Sequence, residues 1–429
     1  MKTTTNILLF IFILSFQSCM QETNWNQYLG PNRNAIASGE NILRSWGEDG
    51  PKELWSFPLG EGYGGVSIFD GEVFILDRKK GEKDILRCID LDSGDEIWNY
   101  SYDAIGEFPY PGSRAVPTIE KKYIWSVGPY GDLYCINKKT HQPVWNINLV
   151  EEFEGKYTNW GFSQSPIIYG DLVIVAPHGK KAGVTAFNKL SGELVWKSRA
   201  LTGINFHASP TLANYGGLDQ VIMISSYDRK DSTVFNEVVS FEANTGKELW
   251  EYEGLYSYGN ITPPTVIDDK RLLLTDCSYN GNYDPVSIML EITDEGGDFI
   301  VKELFFTEEA GSKMHPAVLF EDHLYLNHTK KPDHMKCLTL DGEVVWGRES
   351  APGFDLGALI LIDGLIINQN GNNGDIHLIE PSPEGYKELG KASFFDSKKS
   401  QAWAPLAFSK GKLIIRDLEK MVCVDLQNP

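Results

Sequence analysis

The chain is poor in cysteine, and its cysteines show none of the spacings typical of bridges or metal and haem sites. Six cysteines occur in 429 residues, with no adjacent pair, no CxxC and no CxxCH motif, so the sequence offers neither a disulfide framework nor a c-type haem site. Cys88, Cys135, Cys337 and Cys423 recur at one position of a sequence repeat, and equivalent positions in separate modules lie too far apart for a disulfide. We expect these four to be small buried hydrophobic residues.

Positive charge is also scarce. The chain has 39 Lys and Arg residues against 59 Asp and Glu, a formal net charge of −20. Nucleic acids are polyanions, and anionic lipid surfaces repel an acidic protein in the same way. The composition therefore predicts no nucleic-acid partner, and a membrane contact only through an anchor.

Long apolar runs are absent apart from one near the N-terminus. Lys2 precedes an apolar run over residues 7–16, which is too short to span a bilayer and is typical of an export signal. The run leads to Ser18 and Cys19, which resemble a bacterial lipoprotein cleavage site. We predict a signal peptide over residues 1–18 and a lipidated Cys19 as the mature N-terminus. An ordinary signal peptide with an incidental cysteine is the alternative.

One short pattern recurs along the chain and indicates its fold. A small residue, an Asp, Asn or Glu, a Ser/Thr-Gly turn and a Trp follow one another at fixed spacing. The copies are CIDLDSGDEIW ending at Trp98, CINKKTHQPVW at Trp145, AFNKLSGELVW at Trp196, SFEANTGKELW at Trp250 and the shortened CLTLDGEVVW at Trp346. A period of this length is typical of stacked modules, because one module cannot bury its own apolar face.

The spacing predicts eight modules. Counting from Trp55, with Phe305 and Leu389 in the place of Trp, gives seven complete units and one that lacks its fourth strand. Apolar runs separated by hairpin turns give four strands per unit, as in a propeller blade. We therefore predict an all-β, eight-bladed propeller over residues 51–429, preceded by a lead-in over residues 19–50.

The missing fourth strand has a candidate at the other end of the chain. Residues 52–59, KELWSFPL, resemble a spare fourth strand, and we expect them to pair with residues 421–426, MVCVDL, since closure removes an exposed sheet edge. The repeated Trp residues are interpreted as wedges between blades rather than ligand contacts. Blades in which His141 replaces the turn Gly, or Phe305 and Leu389 replace Trp, are expected to dock less tightly.

The repeats resemble those of the pyrroloquinoline-quinone-type propellers. Blocks in the front segment, WNQYLGPNRNA (25–35), DGPKELW (49–55) and GEGYGG (60–65), resemble exported members of that family, a group that includes relatives of the outer-membrane barrel-assembly lipoprotein. In the quinoprotein dehydrogenases the resemblance implies pyrroloquinoline quinone, a calcium ion held by carboxylate and amide oxygens, a Trp stacked on the quinone and an Asp base. This sequence offers no calcium cluster that can be assigned to positions, so no metal site and no cofactor are predicted, and that chemistry is kept as an alternative.

The inner strands place one residue of each blade at the axial channel. The residue three positions before the repeated Pro, or its equivalent, is in turn Tyr63, Arg114, Ser163, His207, Ile261, Lys313, Leu356 and Ala402. Together with neighbouring residues these predict a binding site at the channel mouth; the candidates are Tyr63, Arg114, Trp160, His178, His207, Lys313, His315, Asp355 and Trp403. A solvated polar rim is the alternative.

Two classes of function follow from these candidates. The first is a non-catalytic, lipid-anchored, monomeric propeller of the cell envelope, in the outer membrane and facing the periplasm or the surface, that serves as a binding or assembly scaffold for an envelope protein or a glycan. The second is an enzyme, either a quinone- and calcium-dependent dehydrogenase of alcohols or sugars or a polysaccharide lyase. His207, Arg114, Tyr63 and His315 would then be the catalytic residues.

Overall fold

The computed structural model contains eight β-sheets arranged as the blades of a propeller. It describes residues 24–38, 41–155, 160–202, 207–225, 237–254, 261–277, 285–329, 334–347, 351–396 and 400–427. The predicted signal peptide and Cys19 lie outside the described residues. The predicted all-β, eight-bladed fold is confirmed, and each blade is a meander of antiparallel strands numbered here from the channel outwards.

The first four blades follow one another along the chain. Blade 1 contains strands Ser67–Phe69, Glu72–Lys79, Gly81–Asp90 and Glu96–Gly106. Blade 2 contains Thr118–Glu120, Tyr123–Val127, Asp132–Asn137 and Gln142–Asn148. Blade 3 contains Ile167–Tyr169, Leu172–Val175, Thr185–Asn188 and Leu194–Lys197. Blade 4 contains Thr211–Tyr215, Leu218–Ile224, Val238–Glu242 and Glu248–Tyr252.

The other four blades complete the ring. Blade 5 contains Thr265–Val266, Arg271–Cys277, Pro285–Asp294 and Phe299–Thr307. Blade 6 contains Val318–Phe320, His323–His328, His334–Thr339 and Val344–Trp346. Blade 7 contains Leu359–Ile362, Leu365–Gln369, Ile376–Glu380 and Lys387–Ala392. Blade 8 contains Ala407–Ser409, Lys412–Arg416, Lys420–Asp425 and, from the front of the chain, Lys52–Pro58.

Blade 8 shows how the ring closes. Lys52–Pro58 pairs antiparallel with Lys420–Asp425, with Trp55 opposite Cys423. This is the predicted pairing. The closure brings a strand that precedes blade 1 into one sheet with the last three strands of the described chain, so the last blade does not expose a third-strand edge.

Helix is almost absent from the described residues. One short helix, Leu149–Phe153, follows the outer strand of blade 2, and the Asn148 side chain caps it by accepting hydrogen bonds from the Val150 and Glu151 amides. Such a cap satisfies amides that have no partner within the helix.

The blades are held together by the repeated Trp residues. The Trp196 ring packs on Gly246 of the next blade, where an added Cβ would lie 2.4 Å from the ring, and its indole N–H donates to the Ala243 carbonyl at 3.1 Å. Gly246 has a φ of +71°, so this turn needs glycine both for its backbone conformation and for the ring's approach. Similar contacts join Trp55 to Gly94 and Trp145 to Gly192.

The turn that carries His141 keeps the same arrangement by another contact. His141 has a φ of +58°, and its ring stacks on Trp98 with the centroids 4.5 Å apart and 10° between the planes. The Phe305 ring of blade 5 packs on Gly342 of blade 6, as the Trp rings pack on turn glycines elsewhere. The expectation of looser docking at these blades remains a prediction.

The lead-in forms part of the disc, which the repeat pattern does not predict. Ile36–Ala37 pairs parallel with Leu361 and Ile362 as a fifth strand of blade 7. Trp25 is 2 % exposed and forms an isolated bridge with Ile68 of blade 1. The lead-in therefore fastens two blades that are not neighbours in sequence.

Each outer strand contains a β-bulge directly before its Trp or Phe, or before Gly390 in blade 7. The register shift skips one aliphatic residue in every blade: Leu54, Ile97, Val144, Val195, Leu249, Leu304, Val345 and Leu389. The prediction that Leu389 takes the place of the Trp is therefore wrong by one residue, because Leu389 occupies the skipped position. A bulge interrupts the regular edge of a sheet and makes it a poorer template for another strand. The rim of the disc is thus protected against edge-to-edge pairing.

Candidate functional site

A cavity lies where the inner strands of the blades converge. Its volume is about 160 Å³, which is room for roughly five water molecules at about 30 Å³ each. Seven of the eight predicted channel positions line it: Tyr63, Arg114, Ser163, His207, Ile261, Lys313 and Leu356. In blade 8 the lining residue is Trp403 instead of the neighbouring Ala402. The inner-strand repeat therefore locates the cavity, although each blade contributes a different chemical group.

Aromatic side chains form one part of the wall. Tyr63 and Trp403 stack with the ring centroids 5.1 Å apart and the planes 16° apart. The centroid of the Tyr110 ring lies 6.1 Å from the ring centroid of Trp403 and 6.1 Å from that of Trp160. The Tyr63 hydroxyl donates to the Gln401 side-chain oxygen at 2.7 Å, which fixes this ring. Linked aromatic rings of this kind give a pocket flat, rigid faces.

Two cations face this aromatic wall. The Arg114 guanidinium carbon lies 5.6 Å from the centre of the Tyr63 ring, and the group donates to the backbone carbonyls of Gly112 and Tyr110. Lys313 lines the cavity from blade 6. Burial lowers the pKa of Arg114 to about 10. None of the lining residues is an Asp or Glu, and neither cation forms an ion pair with any described residue.

Two buried histidines complete the polar lining. Nδ1 of His207 lies 2.5 Å from the Ser163 hydroxyl, and burial, with the positive charges of Arg114 and Lys313, lowers the pKa of His207 well below its ordinary value. His315 lies with Nε2 3.0 Å from the Trp403 carbonyl oxygen, and burial lowers its pKa to about 4. Both rings are therefore neutral near pH 7.

The lead-in also reaches the cavity. Tyr28 lines it, and burial raises the pKa of this tyrosine. The guanidinium carbon of Arg33 lies 5.7 Å from the centre of the Tyr28 ring, and Arg33 donates to the carbonyls of Pro166 and Pro210. Burial lowers the pKa of Arg33 to about 10, and no acidic group among the described residues pairs with it. A third, partly buried cation thus lies next to a residue of the cavity wall.

The nine predicted site residues divide into two groups. Seven line the cavity, namely Tyr63, Arg114, Trp160, His207, Lys313, His315 and Trp403. His178 and Asp355 do not. His178 has a φ of +45° and follows the second strand of blade 3, and Asp355 has a φ of +52° and precedes the inner strand of blade 7.

Five lining residues escaped prediction: Tyr28, Tyr110, Ser209, Met314 and Pro405. Ser209 and Met314 lie one or two residues from predicted positions, so a wider window around each Pro would have included them. Tyr110 lies four residues before Arg114 in a loop between blades. Tyr28 belongs to the lead-in, which the repeat does not place relative to the channel.

The donor set of the cavity does not fit the calcium ion of the quinoprotein dehydrogenases. Calcium requires several converging oxygen ligands, of which carboxylates are the principal ones. The cavity wall instead carries Arg114 and Lys313 and lacks carboxylates. Over the described parts of the chain, no group of three or more His, Cys, Asp or Glu side chains is arranged to hold a metal ion.

Fold and site together define an eight-bladed β-propeller with a cationic, aromatic central cavity. The family model described as outer membrane protein assembly factor BamB matches residues 82–348. This is more than half of the chain, so the protein belongs to that family, and the resemblance expressed by the repeats is confirmed.

Solved structures share the fold at low sequence identity. The quinohemoprotein alcohol dehydrogenase from Comamonas testosteroni superposes with a TM-score of 0.67 and 13% identity, over 95% of this chain and 81% of that one. BamB from Moraxella catarrhalis gives a TM-score of 0.58 and 13% identity, over 88% of this chain and 98% of that one. A europium-containing methanol dehydrogenase superposes with a TM-score of 0.59 and 12% identity, over 94% of this chain and 89% of that one. These likenesses show the fold alone.

Comparison with curated protein sequences finds no match. Within the described residues, no helix has the length and apolar character needed to cross a membrane.

Proposed function

We propose that this protein is a non-catalytic binding propeller of the cell envelope, which serves as an assembly scaffold and holds a partner at its central cavity. The observation that carries the proposal is the composition of that cavity. It combines aromatic faces with Arg114 and Lys313 and has no carboxylate among its described lining residues. Such a wall suits recognition of a ligand or a partner's side chain.

A catalytic role receives less support from the same groups. A general base works best when its pKa lies near the working pH. The pKa of His207 is depressed far below that range by burial, and burial raises the pKa of Tyr63 to about 12. The residues that a lyase would use are therefore poorly tuned for proton transfer near pH 7.

The location of the protein in the envelope is supported by its family and by its N-terminus. The family description is that of an outer membrane protein assembly factor. Residues 1–18 have the pattern of an export signal, and Cys19 follows a lipoprotein-like cleavage site. A lipid on Cys19, retention at the outer membrane and a protein or glycan partner are parts of the proposal.

Reconstitution tests the non-catalytic claim. The purified protein is incubated with pyrroloquinoline quinone and calcium, and reduction of an artificial electron acceptor is followed with alcohols and sugars. We expect no reduction above that of a sample without protein. Sustained turnover that is lost in Arg114→Gln would overturn the proposal in favour of the dehydrogenase.

Crosslinking in intact cells tests the scaffold claim. A photoreactive amino acid is placed at Tyr110, a lining residue that is 42% exposed, and in a control chain at Leu190, which is 46% exposed and lies away from the cavity. We expect covalent adducts with outer-membrane barrel-assembly proteins or with envelope glycans at Tyr110 and not at Leu190. Identical adduct patterns at the two positions would contradict a role for the cavity.

Fractionation tests the anchor. With Cys19→Ser we expect the protein to move from the membrane fraction to the soluble periplasmic or external fraction. Membrane retention of this variant at wild-type level would contradict lipidation at Cys19.

A further inference from the structure

The charges and faces of the central cavity point to one chemical class of ligand. We propose that the cavity binds an acidic sugar, namely a hexuronate unit of a glycan, with its carboxylate between Arg114 and Lys313 and its ring against the aromatic wall. The inference rests on the proposed function, because it takes the cavity as a binding site rather than a reaction centre.

Positive charge at the cavity is uncompensated. The protein has a net charge of −20, yet Arg114, Lys313 and the nearby Arg33, all partly buried, have no acidic partner among the described residues. Shielding a charge from water without compensation is unfavourable. Arg78, which is 4% exposed, pairs with Asp84 at 2.6 Å, whereas Arg416, which is 3% exposed, donates to four backbone carbonyls instead. An anion in the cavity would supply the missing compensation.

The position of the cations favours a group that enters between them. Arg114 lies just before the inner strand of blade 2, and Lys313 lies just before the inner strand of blade 6. The two side chains therefore approach the cavity from opposite sides of the eight-bladed ring. Both contribute to lowering the pKa of His207, which places both within electrostatic reach of the same point. The planar Arg114 guanidinium is suited to a carboxylate.

The neutral polar groups of the wall suit hydroxyl groups, which an aromatic acid lacks. Tyr110, Ser163 and Ser209 line the cavity, and their hydroxyl groups can both donate and accept hydrogen bonds. Hydroxyl groups on a sugar would bond to such side chains.

The shape of the remaining wall suits a single sugar ring. Trp160, Trp403 and Tyr110 present flat faces around a cavity of about 160 Å³, a small volume that suits one ring with its substituents better than a folded chain. A sugar ring offers axial C–H groups to an aromatic face and hydroxyls to polar side chains at its edge. Carboxylate, apolar face and hydroxyls occur together in a hexuronate.

The test uses trigalacturonate as the probe and its fully methyl-esterified form as the control, which keeps the rings and removes the charges. Binding to the full mature protein is followed by tryptophan fluorescence, since Trp160 and Trp403 line the cavity, and by calorimetry. We expect trigalacturonate to bind at least ten times more tightly than the ester. Equal affinities, absence of binding to trigalacturonate, or tighter binding of benzoate or inorganic phosphate would each overturn the proposal.

Variants locate the site. Arg114→Gln and Lys313→Gln should each weaken trigalacturonate binding at least tenfold and leave any weak binding of the ester unchanged. Lys121→Gln, at an exposed lysine of blade 2, should leave both affinities unchanged. Circular dichroism confirms that each variant is folded. Wild-type affinity in both cavity variants would place the sugar elsewhere and contradict the proposal.

The two proposals fail separately. Sugar binding could be absent while the protein still crosslinks to assembly proteins and reduces no dye, in which case only the ligand class is wrong. Conversely, dye reduction with quinone and calcium would overturn the non-catalytic function whatever the affinity for trigalacturonate.

Discussion

The blade interfaces and the channel wall are built from the same repeat but use it in opposite ways. At the interfaces nearly every blade supplies the same group: Trp55, Trp145 and Trp196 each pack on the turn glycine of the following blade, and each indole N–H donates to a carbonyl there. At the channel the corresponding position changes from blade to blade. The uniform contacts hold the ring together, and the varied ones give the cavity its particular chemistry.

The same contrast holds for charge. At the rim, Arg199 is surrounded by acidic groups, with Glu248 at 2.7 Å, Glu237 at 3.0 Å and Glu251 at 3.2 Å. At the channel, Arg114 faces aromatic rings and backbone carbonyls. Surface cations of this protein are thus neutralised internally, whereas the central ones are available to a ligand.

The largest effect is expected from removing the strand that closes the ring. Deletion of residues 50–59 removes Lys52–Pro58 from blade 8 together with the Trp55 contact to blade 1, and exposes Lys420–Asp425 as a sheet edge. Because a domain's net stability is only about 5–15 kcal/mol, we expect loss of the cooperative thermal transition. Scanning calorimetry measures it.

A permuted chain supplies the control for that deletion. Lys52 is paired with Asp425, so residues 50–59 attached after residue 427 through a short turn can return to the same place in the sheet. This chain should recover a cooperative transition. An unchanged melting temperature in the simple deletion would show that the strand does not close the ring.

The next largest effect is expected at a single blade interface. Trp196 is 7% exposed, and Trp196→Ala removes both its packing on Gly246 and its hydrogen bond to Ala243. Truncation of a buried aromatic residue costs about 3–5 kcal/mol, which urea unfolding can measure. Leu190→Ala, at a side chain 46% exposed, should change stability by less than about 0.5 kcal/mol. A loss below about 1 kcal/mol for Trp196→Ala would contradict its role as a wedge.

The sequence predicts the interfaces much better than the cavity, and the reason is physical. A contact repeated in each blade leaves a periodic signal, so Trp196 and its glycine could be recognised together with the strand that closes the ring. The inner-strand position before each Pro also recurs, and it located most of the wall. Tyr28 and Tyr110 could not be placed, since they lie in a lead-in and a loop whose paths are set by tertiary contacts such as the pairing of Ile36 with Leu361. His178 and Asp355 are not among the residues that line this cavity, and the repeat alone does not show on which side of the chain they lie.

A smaller effect on stability is expected from pH, through His315 of the channel wall. His315 is 5% exposed, and burial lowers its pKa from 6.5 to about 4. Between these values the unfolded chain binds a proton at this residue and the folded chain does not, so stability falls as the pH falls through that window. The contribution is at most about 3 kcal/mol over the whole window.

The variant His315→Gln measures that contribution. Its free energy of unfolding should depend less steeply on pH between 6.5 and 4 than that of the unaltered protein. Urea titrations at several pH values give the slopes. Equal slopes in the two proteins would show that His315 is protonated as easily in the folded as in the unfolded chain.

The smallest effect is expected where one interface departs from the repeat. His141→Gly restores the residue found at the equivalent turns, and it removes two opposing contributions: the stacking on Trp98, worth about 0.5–1.5 kcal/mol, and the strain of a left-handed non-glycine residue, about 1–2 kcal/mol. The two nearly cancel, so stability should change by less than about 1 kcal/mol. His141→Ala loses the stacking and keeps the strain, and it should therefore be less stable than His141→Gly by about 1 kcal/mol. If alanine and glycine were equally stable here, the left-handed turn would not be what selects the residue, and the stacking on Trp98 alone would explain why this blade can use histidine.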